Sequence, residues 1–364
     1  MERVLPERLY LDHAATTAIT PAAREAMARG VALWANPSSP HAEGRAARAA
    51  LEEARRAIGT AYGWQHEVLL TSGASESLAI ALGRAVAGPR FISAVEHDAV
   101  MRAAGEQAHV LPVTAQGLVD VAALREHACW SSDGARGRPI TCIQWCNSET
   151  GVIQPIAEIA EIVQAAGGLL LVDAAQMPAS DALAAHADFI AVSAHKRGGP
   201  PGVGALLVRD LATLQPTGGQ ERGYRAGTEN VPGVLGYAAA VGENEPDHRE
   251  LRAILDDAIM RSGGEVVAKN APRHPAIGSY RLAGMSANAQ LIRLDMAGIS
   301  VSAGSACASG SLKPSHVLRA MGWSEEAGRE VIRVSFGRTT DRSAVQRFIS
   351  AWRDMARGAR VLAA

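Results

Sequence analysis

Short apolar runs alternate with amphipathic stretches between about residues 60 and 210 of the chain. Apolar runs of this length predict buried strands, and the amphipathic stretches between them predict helices. Such alternation is typical of an α/β fold whose mostly parallel sheet is covered by helices on both faces. The predicted strands are 68–71, 91–95, 140–145, 169–172, 189–193 and 204–208, and the predicted helices include 75–87, 121–127 and 156–166.

The pattern changes after Pro232. A helical stretch from Val234 leads through a polar patch to a second helix near residues 250–262, and strands separated by turns with Pro and Gly follow. This change predicts a large domain over residues 15–244. Residues 1–14 and 245–364 would form a smaller α+β domain.

Composition and charge narrow the class of protein. With 364 residues, 48% of them hydrophobic, the chain can bury a large core. The net charge is -1 and no run of like charges occurs, so electrostatics favour neither a nucleic acid nor a membrane surface as partner. The N-terminus lacks a signal-like pattern, and no apolar run reaches the length that spans a bilayer. We therefore expect a cytoplasmic protein.

The cysteines are Cys129, Cys142, Cys146 and Cys307. Neither a CxxC spacing nor a Cys/His cluster appears, which predicts no disulfide scaffold and no metal site. Cys142 and Cys146 fall in or beside a predicted strand, and we expect both in the core. Cys307 stands among small residues in SVSAGSACASGS, so the usual burial of a free cysteine fits its neighbourhood poorly.

Polar residues follow five of the predicted strands, in the segments TSGASES, EHD, NSETG, DAAQ and AHKRGG. Ligands of open α/β sheets bind beyond the carboxyl ends of the strands, so this succession predicts a site. TSGASES either presents backbone N–H groups to an anion or caps a helix through Ser72 or Ser75.

Lysine is rare in this chain: the 36 basic residues include only Lys196, Lys269 and Lys313. Lys196 follows a predicted strand, where a desolvated amine can form a Schiff base with an aldehyde. Asp173 either caps a helix or pairs with a protonated pyridine nitrogen, and His97 offers a ring to stack on. Together these residue types suggest a pocket for pyridoxal phosphate.

The motifs, in this order, resemble those of the NifS/IscS-like cysteine desulfurases of the class V pyridoxal-phosphate-dependent aminotransferase family. The resemblance runs from LDHAATT at residue 11 to Arg338 and includes NSETGVIQP, SAHKRGGPPGVGAL and SAGSACASGSLKPSHVLRAMG. It implies a fold-type I homodimer that converts L-cysteine to L-alanine. The sulfur would remain as a persulfide on Cys307 for an acceptor protein, serving iron–sulfur cluster assembly or the thiolation of tRNA or cofactors.

The resemblance also implies a role for individual residues. Cys307 would be the nucleophile, Lys196 would hold the cofactor covalently, and His97 would stack on the ring and take part in catalysis. Arg333 and Asn36 would bind the substrate. The remaining cofactor contacts would be Asp173 at the pyridine nitrogen, Gln176 and Ser148 at the ring hydroxyl, Ala74, Ser75, Ser193 and His195 at the phosphate, and Thr228 at the phosphate of the neighbouring subunit.

Departures from the family pattern keep alternatives open. Ser148 stands where the second of two asparagines is usual, and the Asp-Asn pair usual after TSGASES is either replaced by Leu78-Ala79 or deleted. The tail lacks the usual acceptor-docking extension. A non-catalytic family member that acts as a binding partner therefore remains an alternative. A selenocysteine lyase, which would share the fold and the cofactor, is a second alternative, although the intact SAGSACASGS loop favours the desulfurase.

Overall fold

The computed structural model describes residues 8–126, 137–303 and 314–363. The strands between residues 67 and 208 form one large sheet, and four further strands of the described chain follow residue 264. The strands are β1 (Leu9–Tyr10), β2 (Glu67–Thr71), β3 (Arg90–Ser93), β4 (His109–Leu111), β5 (Ile140–Gln144), β6 (Leu169–Asp173), β7 (Phe189–Ser193), β8 (Gly204–Val208), β9 (Glu265–Val266), β10 (Ile277–Arg281), β11 (Ile299–Ser300) and β12 (Val331–Ser335).

Helices connect most of these strands. In the part of the chain that the structure describes, none of them is both long enough and apolar enough to cross a membrane. The helices are α1 (Pro21–Ala32), α2 (Ala42–Ala61), α3 (Ala74–Arg84), α4 (Asp98–Ala104), α5 (Val121–Glu126), α6 (Ile156–Ala165), α7 (Val231–Val241), α8 (Arg249–Arg261), α9 (Ala287–Met296), α10 (His316–Ala320), α11 (Glu325–Gly328) and α12 (Arg342–Ala363).

The central element is a seven-stranded sheet of order β2-β8-β7-β6-β5-β3-β4. Strands β4, β3, β5, β6 and β7 run parallel to one another, whereas β8 is antiparallel to both of its neighbours, β7 and β2. The predicted α/β class with a mostly parallel sheet is confirmed. The prediction missed β4, a three-residue strand at the sheet edge.

Complete burial explains why the central strands are continuous apolar runs. Every position of β5, β6, β7 and β8 is buried. Alternate residues of β6 enter two different core clusters, with Leu170 and Val172 in one and Leu169 and Leu171 in the other. A sheet with apolar residues on both faces must be covered on both, and the connecting helices provide that cover.

A smaller unit forms around the antiparallel sheet β12-β10-β9 and the parallel pair β1-β11. Its own core contains Tyr280, Phe348 and Trp352, none of which belongs to the clusters of the large sheet. The N-terminal strand β1 joins this unit because it pairs with β11, late in the chain. We therefore propose the division into residues 15–244 and residues 1–14 with 245–364.

The loop after β5 meets β10 of the smaller unit at Gly151. Its φ of +77° lies in the left-handed region, and a Cβ built there would stand 2.6 Å from the carbonyl oxygen of Ile277. The Gly151 carbonyl also accepts a 2.7 Å hydrogen bond from the backbone N–H of His274. Only glycine permits both this conformation and this close approach.

We expect Gly151→Ala to lower the free energy of unfolding by about 2–5 kcal/mol, because left-handed backbone strain adds to the displacement of β10. Gly167→Ala is the matched control, since Gly167 has a φ of +67° with nothing within 4 Å of its built Cβ. That control carries only the backbone strain, about 1–2 kcal/mol. Denaturant unfolding of both variants measures the difference, and equal losses would contradict the proposed close contact.

Candidate active site

A cavity of about 720 Å³ lies beyond the carboxyl ends of β3, β5, β6 and β7. This volume falls within the range usual for small-molecule sites. Asn36 and Thr228 do not line the cavity, and Cys307 lies outside the described residues. The other residues predicted for the site all line it: Ala74, Ser75, His97, Ser148, Asp173, Gln176, Ser193, His195, Lys196 and Arg333.

One end of the cavity is formed by the N-terminus of α3. The helix is capped by Gly73, with a φ of +148° and no side-chain hydrogen bond at the cap, so the alternative of a cap by Ser72 or Ser75 is wrong. The start of β8 lies so close that a Cβ on Gly204 would stand 2.6 Å from the Cα of Gly73. A helix terminus without a side-chain cap offers its N–H groups and its positive dipole end to an anion such as a phosphate.

Asp173 and Lys196 meet because they follow neighbouring parallel strands. Asp173 ends β6, and Lys196 lies in the 3-10 turn Ala194–Lys196 directly after β7. The pKa of Lys196 is lowered to about 8, chiefly by burial and in addition by the charges of Arg333 and Arg197, while the charge of Asp173 opposes this shift. A substantial fraction of the amine is therefore neutral near this pH, as a nucleophilic lysine requires.

His97 caps α4 and lines the cavity. Its Nδ1 accepts the backbone N–H of Ala99 at 3.1 Å, which leaves the proton of a neutral ring on Nε2. Burial lowers the pKa of His97, the charge of Lys196 lowers it further, and the charge of Asp173 acts in the opposite sense. The ring is thus a neutral imidazole with a fixed tautomer.

Gln176 presents an unsatisfied acceptor to the cavity. Its Nε2 donates to the carbonyl of Ala14 at 3.0 Å, whereas its buried Oε1 has no hydrogen-bond partner among the described residues. A buried polar atom without a partner is costly, so a ligand hydroxyl that donates here would satisfy it. With the α3 terminus for a phosphate and Asp173 for a ring nitrogen, the residues present fit pyridoxal phosphate.

The NSETG loop is held by Asn147, a residue whose importance the sequence did not reveal. Its Oδ1 accepts the backbone N–H groups of Glu149 and Thr150 at 2.9 and 2.8 Å, and its Nδ2 donates to the carbonyl of Val95 at 3.1 Å. These bonds fix the neighbouring Ser148 at the cavity wall. The only signal in the sequence was an asparagine at a strand end, a common turn residue.

Arg333 reaches the cavity from β12 of the smaller unit and is 5% exposed. Its Nη1 donates to the carbonyl of Ser148 at 2.9 Å, and its Nη2 pairs with Asp12 at 2.6 Å. Its buried Nε has no partner among the described residues. The guanidinium is therefore oriented at the cavity by two neighbours, and its Nε is left without a partner in the described part of the chain.

Glu96, next to His97, is a further cavity residue that the sequence analysis missed. It is 0% exposed, and its Oε1 accepts from the hydroxyl of Ser93 at 2.5 Å and from the N–H of Gln144 at 3.0 Å. Its Oε2 has no partner in the described ranges. Burial raises the pKa of Glu96 to about 8, so this carboxyl is mainly protonated at neutral pH.

The two cysteines that the structure describes are both buried, as predicted. Cys146 lines the cavity, but burial raises its pKa to about 12. Burial also raises the pKa of Cys142 well above its ordinary value. Because the thiolate is the nucleophilic form, neither residue is suited to attack a substrate.

The aminotransferase class-V family profile matches residues 9–348, and the chain belongs to this family. It is 36% identical over 370 residues to the cysteine desulfurase of Cereibacter sphaeroides, covering 94% of each chain. It is 38% identical over 364 residues to the IscS-like cysteine desulfurase of Mycobacterium tuberculosis, covering 91% of this chain and 92% of that one. The crystal structure of a NifS-like protein from Rickettsia africae ESF-5 superposes with a TM-score of 0.87 at 30% identity, covering 96% and 99% of the two chains.

These similarities confirm the family resemblance and the fold-type I architecture inferred from the sequence. They extend over nearly the whole chain, including both the large sheet and the smaller unit. The relatives identify this chain as a member of the cysteine desulfurase group of pyridoxal-phosphate enzymes.

Glu96→Gln removes a titrating carboxyl and retains an acceptor for Ser93 and Gln144. The pKa of Glu96 is about 8 in the folded wild type, against an ordinary value of 4.5. Between these two pH values the folded state holds a proton that the unfolded chain has lost, so the free energy of unfolding of the wild type falls as pH rises from 4.5 to 8. We expect the variant to gain up to about 4 kcal/mol over the wild type between roughly pH 5 and pH 8. Denaturant unfolding of the cofactor-free proteins checks this, and parallel pH curves would contradict it.

Proposed function

We propose that this chain binds pyridoxal phosphate and converts L-cysteine to L-alanine, leaving the sulfur as a persulfide on Cys307. The observation that carries the proposal is the Lys196 amine. Its lowered pKa and its position beside Asp173, at the ends of two neighbouring strands, match the needs of a lysine that holds an aldehyde cofactor. Kinship with cysteine desulfurases supports the substrate.

The cofactor contacts follow from the chemistry of the cavity wall. The α3 terminus at Ala74 and Ser75 would hold the phosphate together with Ser193 and His195. Asp173 would pair with the pyridine nitrogen, His97 would stack on the ring, and Lys196 would hold the cofactor covalently. The unsatisfied Oε1 of Gln176 supports a contact with the ring hydroxyl. Ser148 faces the same cavity with a shorter side chain than the asparagine usual in the family.

Pyridoxal phosphate supplies an electron-withdrawing ring that weakens bonds at the substrate carbon next to the amine. The residues supply position and proton transfer. Arg333 would bind the substrate carboxylate, since its guanidinium lines the cavity and is held in place by Ser148 and Asp12. Lys196 Nζ, which is neutral in part, can accept a proton from the substrate, and the neutral ring of His97 can donate a hydrogen bond through its Nε2–H.

Cys307 is proposed as the nucleophile. Its thiolate would attack the sulfur of the substrate, so that an S–S bond forms as the Cβ–S bond breaks. The released carbon then takes up a proton to give alanine. The raised pKa values of Cys142 and Cys146 support this assignment, since they leave those thiols protonated.

We also propose a homodimer, because two residues that the resemblance assigns to a site lie outside the cavity of the single chain. Asn36 and Thr228 are exposed in the single chain, although the resemblance assigns them to a site. Trp34, two residues before Asn36, is 79% exposed, and Val31 is 67% exposed. Exposed apolar side chains of this size support coverage by a second copy, with each subunit completing the other's site. Sulfur transfer to an acceptor protein in the cytoplasm completes the proposal.

Lys196→Ala is expected to abolish the yellow colour of the bound cofactor and to lower alanine formation at least about a thousandfold, because no other amine lies at this position. Lys269→Ala is the matched control, since Lys269 is exposed and does not line the cavity. Absorbance and a coupled alanine assay measure both effects. Retained colour in Lys196→Ala, or a wild type that stays colourless with added pyridoxal phosphate, would refute the enzyme assignment.

Cys307→Ala is expected to lower sulfide release from cysteine at least about a hundredfold while the protein stays yellow, since the persulfide acceptor is lost. Cys142→Ala, in the buried core, should retain activity. Parallel assays with selenocysteine separate the alternatives. If Cys307→Ala retains full release from both substrates, and selenocysteine is the better one, the chain is a selenocysteine lyase.

A further inference from the structure

A second cleft, of about 560 Å³, opens beside Arg197, the residue that follows Lys196. Its walls carry the charged residues Arg197, Glu243, Glu245 and Arg338. A narrow void of about 40 Å³ is lined by Arg197 and Glu245 on one side and by Lys196 and Gln176 of the active site on the other. The charged groups of the cleft thus lie directly against two residues of the proposed cofactor pocket.

Arg197 makes the central contacts of this cluster. Its Nη1 donates to both carboxylate oxygens of Glu245, at 2.8 and 2.9 Å, and its Nη2 donates to the backbone carbonyl of Gln176 at 3.2 Å. The side chain is only 10% exposed. A buried guanidinium with charge-assisted partners has one strongly preferred position, and losing one partner is costly.

Arg338, which lies just after β12, also contacts the turn that carries Lys196. Its Nη2 donates to the backbone carbonyl of Arg197 at 3.1 Å, and it also pairs with Glu245 at 3.5 Å. Glu245 belongs to the segment between α7 and α8, where the chain leaves the large sheet for the smaller unit. The Lys196 turn is therefore tied to two segments of the predicted smaller domain, one at Glu245 and one at Arg338.

Two consequences follow for the cofactor pocket. The first is geometric: one guanidinium fixes the Lys196 turn relative to Gln176, whose Oε1 is unsatisfied in the cavity. The second is electrostatic: a fixed positive charge behind the amine favours its neutral form, and the pKa of Lys196 is lowered by burial, Arg333 and Arg197. The titratable and charged groups that act on the amine or feel its charge are Asp173, Arg333, Arg197, Cys146, His97 and His195.

We propose that Arg197 is a positioning residue for the cofactor, anchored by Glu245, that sets the place and the charge of the Lys196 amine. This rests on the proposed function, since it concerns the same lysine. Arg197 itself touches neither substrate nor cofactor. It acts through the backbone of the Lys196 turn, through the Gln176 carbonyl and through its electric field.

The test is the pH midpoint at which the absorbance of the lysine-linked cofactor changes, measured in the holoenzyme. Arg197→Gln should raise this midpoint by roughly 0.5–1 unit, because the loss of a nearby cation favours the protonated nitrogen. Arg197→Lys keeps the positive charge, so its midpoint should lie close to that of the wild type. The double variant Arg197→Gln with Glu245→Gln also removes the carboxylate that has lost Arg197 and keeps, among the described residues, only Arg338 as a partner, at 3.5 Å, so it should regain thermal stability while its midpoint stays raised.

Arg273→Gln is the matched control. Arg273 forms a buried ion pair with Asp256 at 2.6 Å, with 12% and 13% of the side chains exposed, and it does not line the active-site cavity. This variant should lose stability without moving the midpoint. The proposal would be overturned if folded, yellow Arg197→Gln had the midpoint of the wild type. It would also be overturned if the double variant regained both the wild-type midpoint and the wild-type stability. A wild type that never turns yellow would instead refute the proposed function.

Discussion

Burial of the Lys196 amine beside the Asp173 carboxylate is the constraint on which the site depends. The two residues meet because β6 and β7 are parallel neighbours with every position buried. Their carboxyl ends therefore bring opposite charges to one desolvated edge. The low polarity of that edge lowers the pKa of the amine, and the carboxylate limits how far it falls. A lysine at a solvent-exposed strand end would have the same neighbour but not the same reactivity.

Three of the other titratable groups that line the cavity are neutral, whereas Glu76, which pairs with Arg225, is ionised. Glu96 is mainly protonated, His97 is a neutral ring, and the thiol of Cys146 is protonated because burial raises its pKa. Among the described residues that line the cavity, Arg333 supplies a permanent positive charge and the N-terminal end of α3 a partial one, which favours a ligand with a phosphate and a carboxylate. This balance fits the family membership of the chain.

Much of the fold and site could be predicted from the sequence, because buried parallel strands require continuous apolar runs and their ends carry the functional side chains. The direction of each strand could not be predicted, because an apolar run looks the same in both directions. Strand β8 is antiparallel to its neighbours. The protonation of Glu96 depends on burial, and the Arg197 and Glu245 pair joins residues far apart in the chain. The position of Asn36 and Thr228 outside the cavity of the single chain could likewise not be read from their motifs.

The central claim is that Lys196 is the amine that holds the cofactor. Borohydride reduction of the cofactor-bound protein would make this link permanent, and peptide mass analysis would locate it among the three lysines of the chain, Lys196, Lys269 and Lys313. The account predicts a pyridoxyl group on Lys196 alone. A label on Lys269 or Lys313, or no label on any lysine, would contradict it.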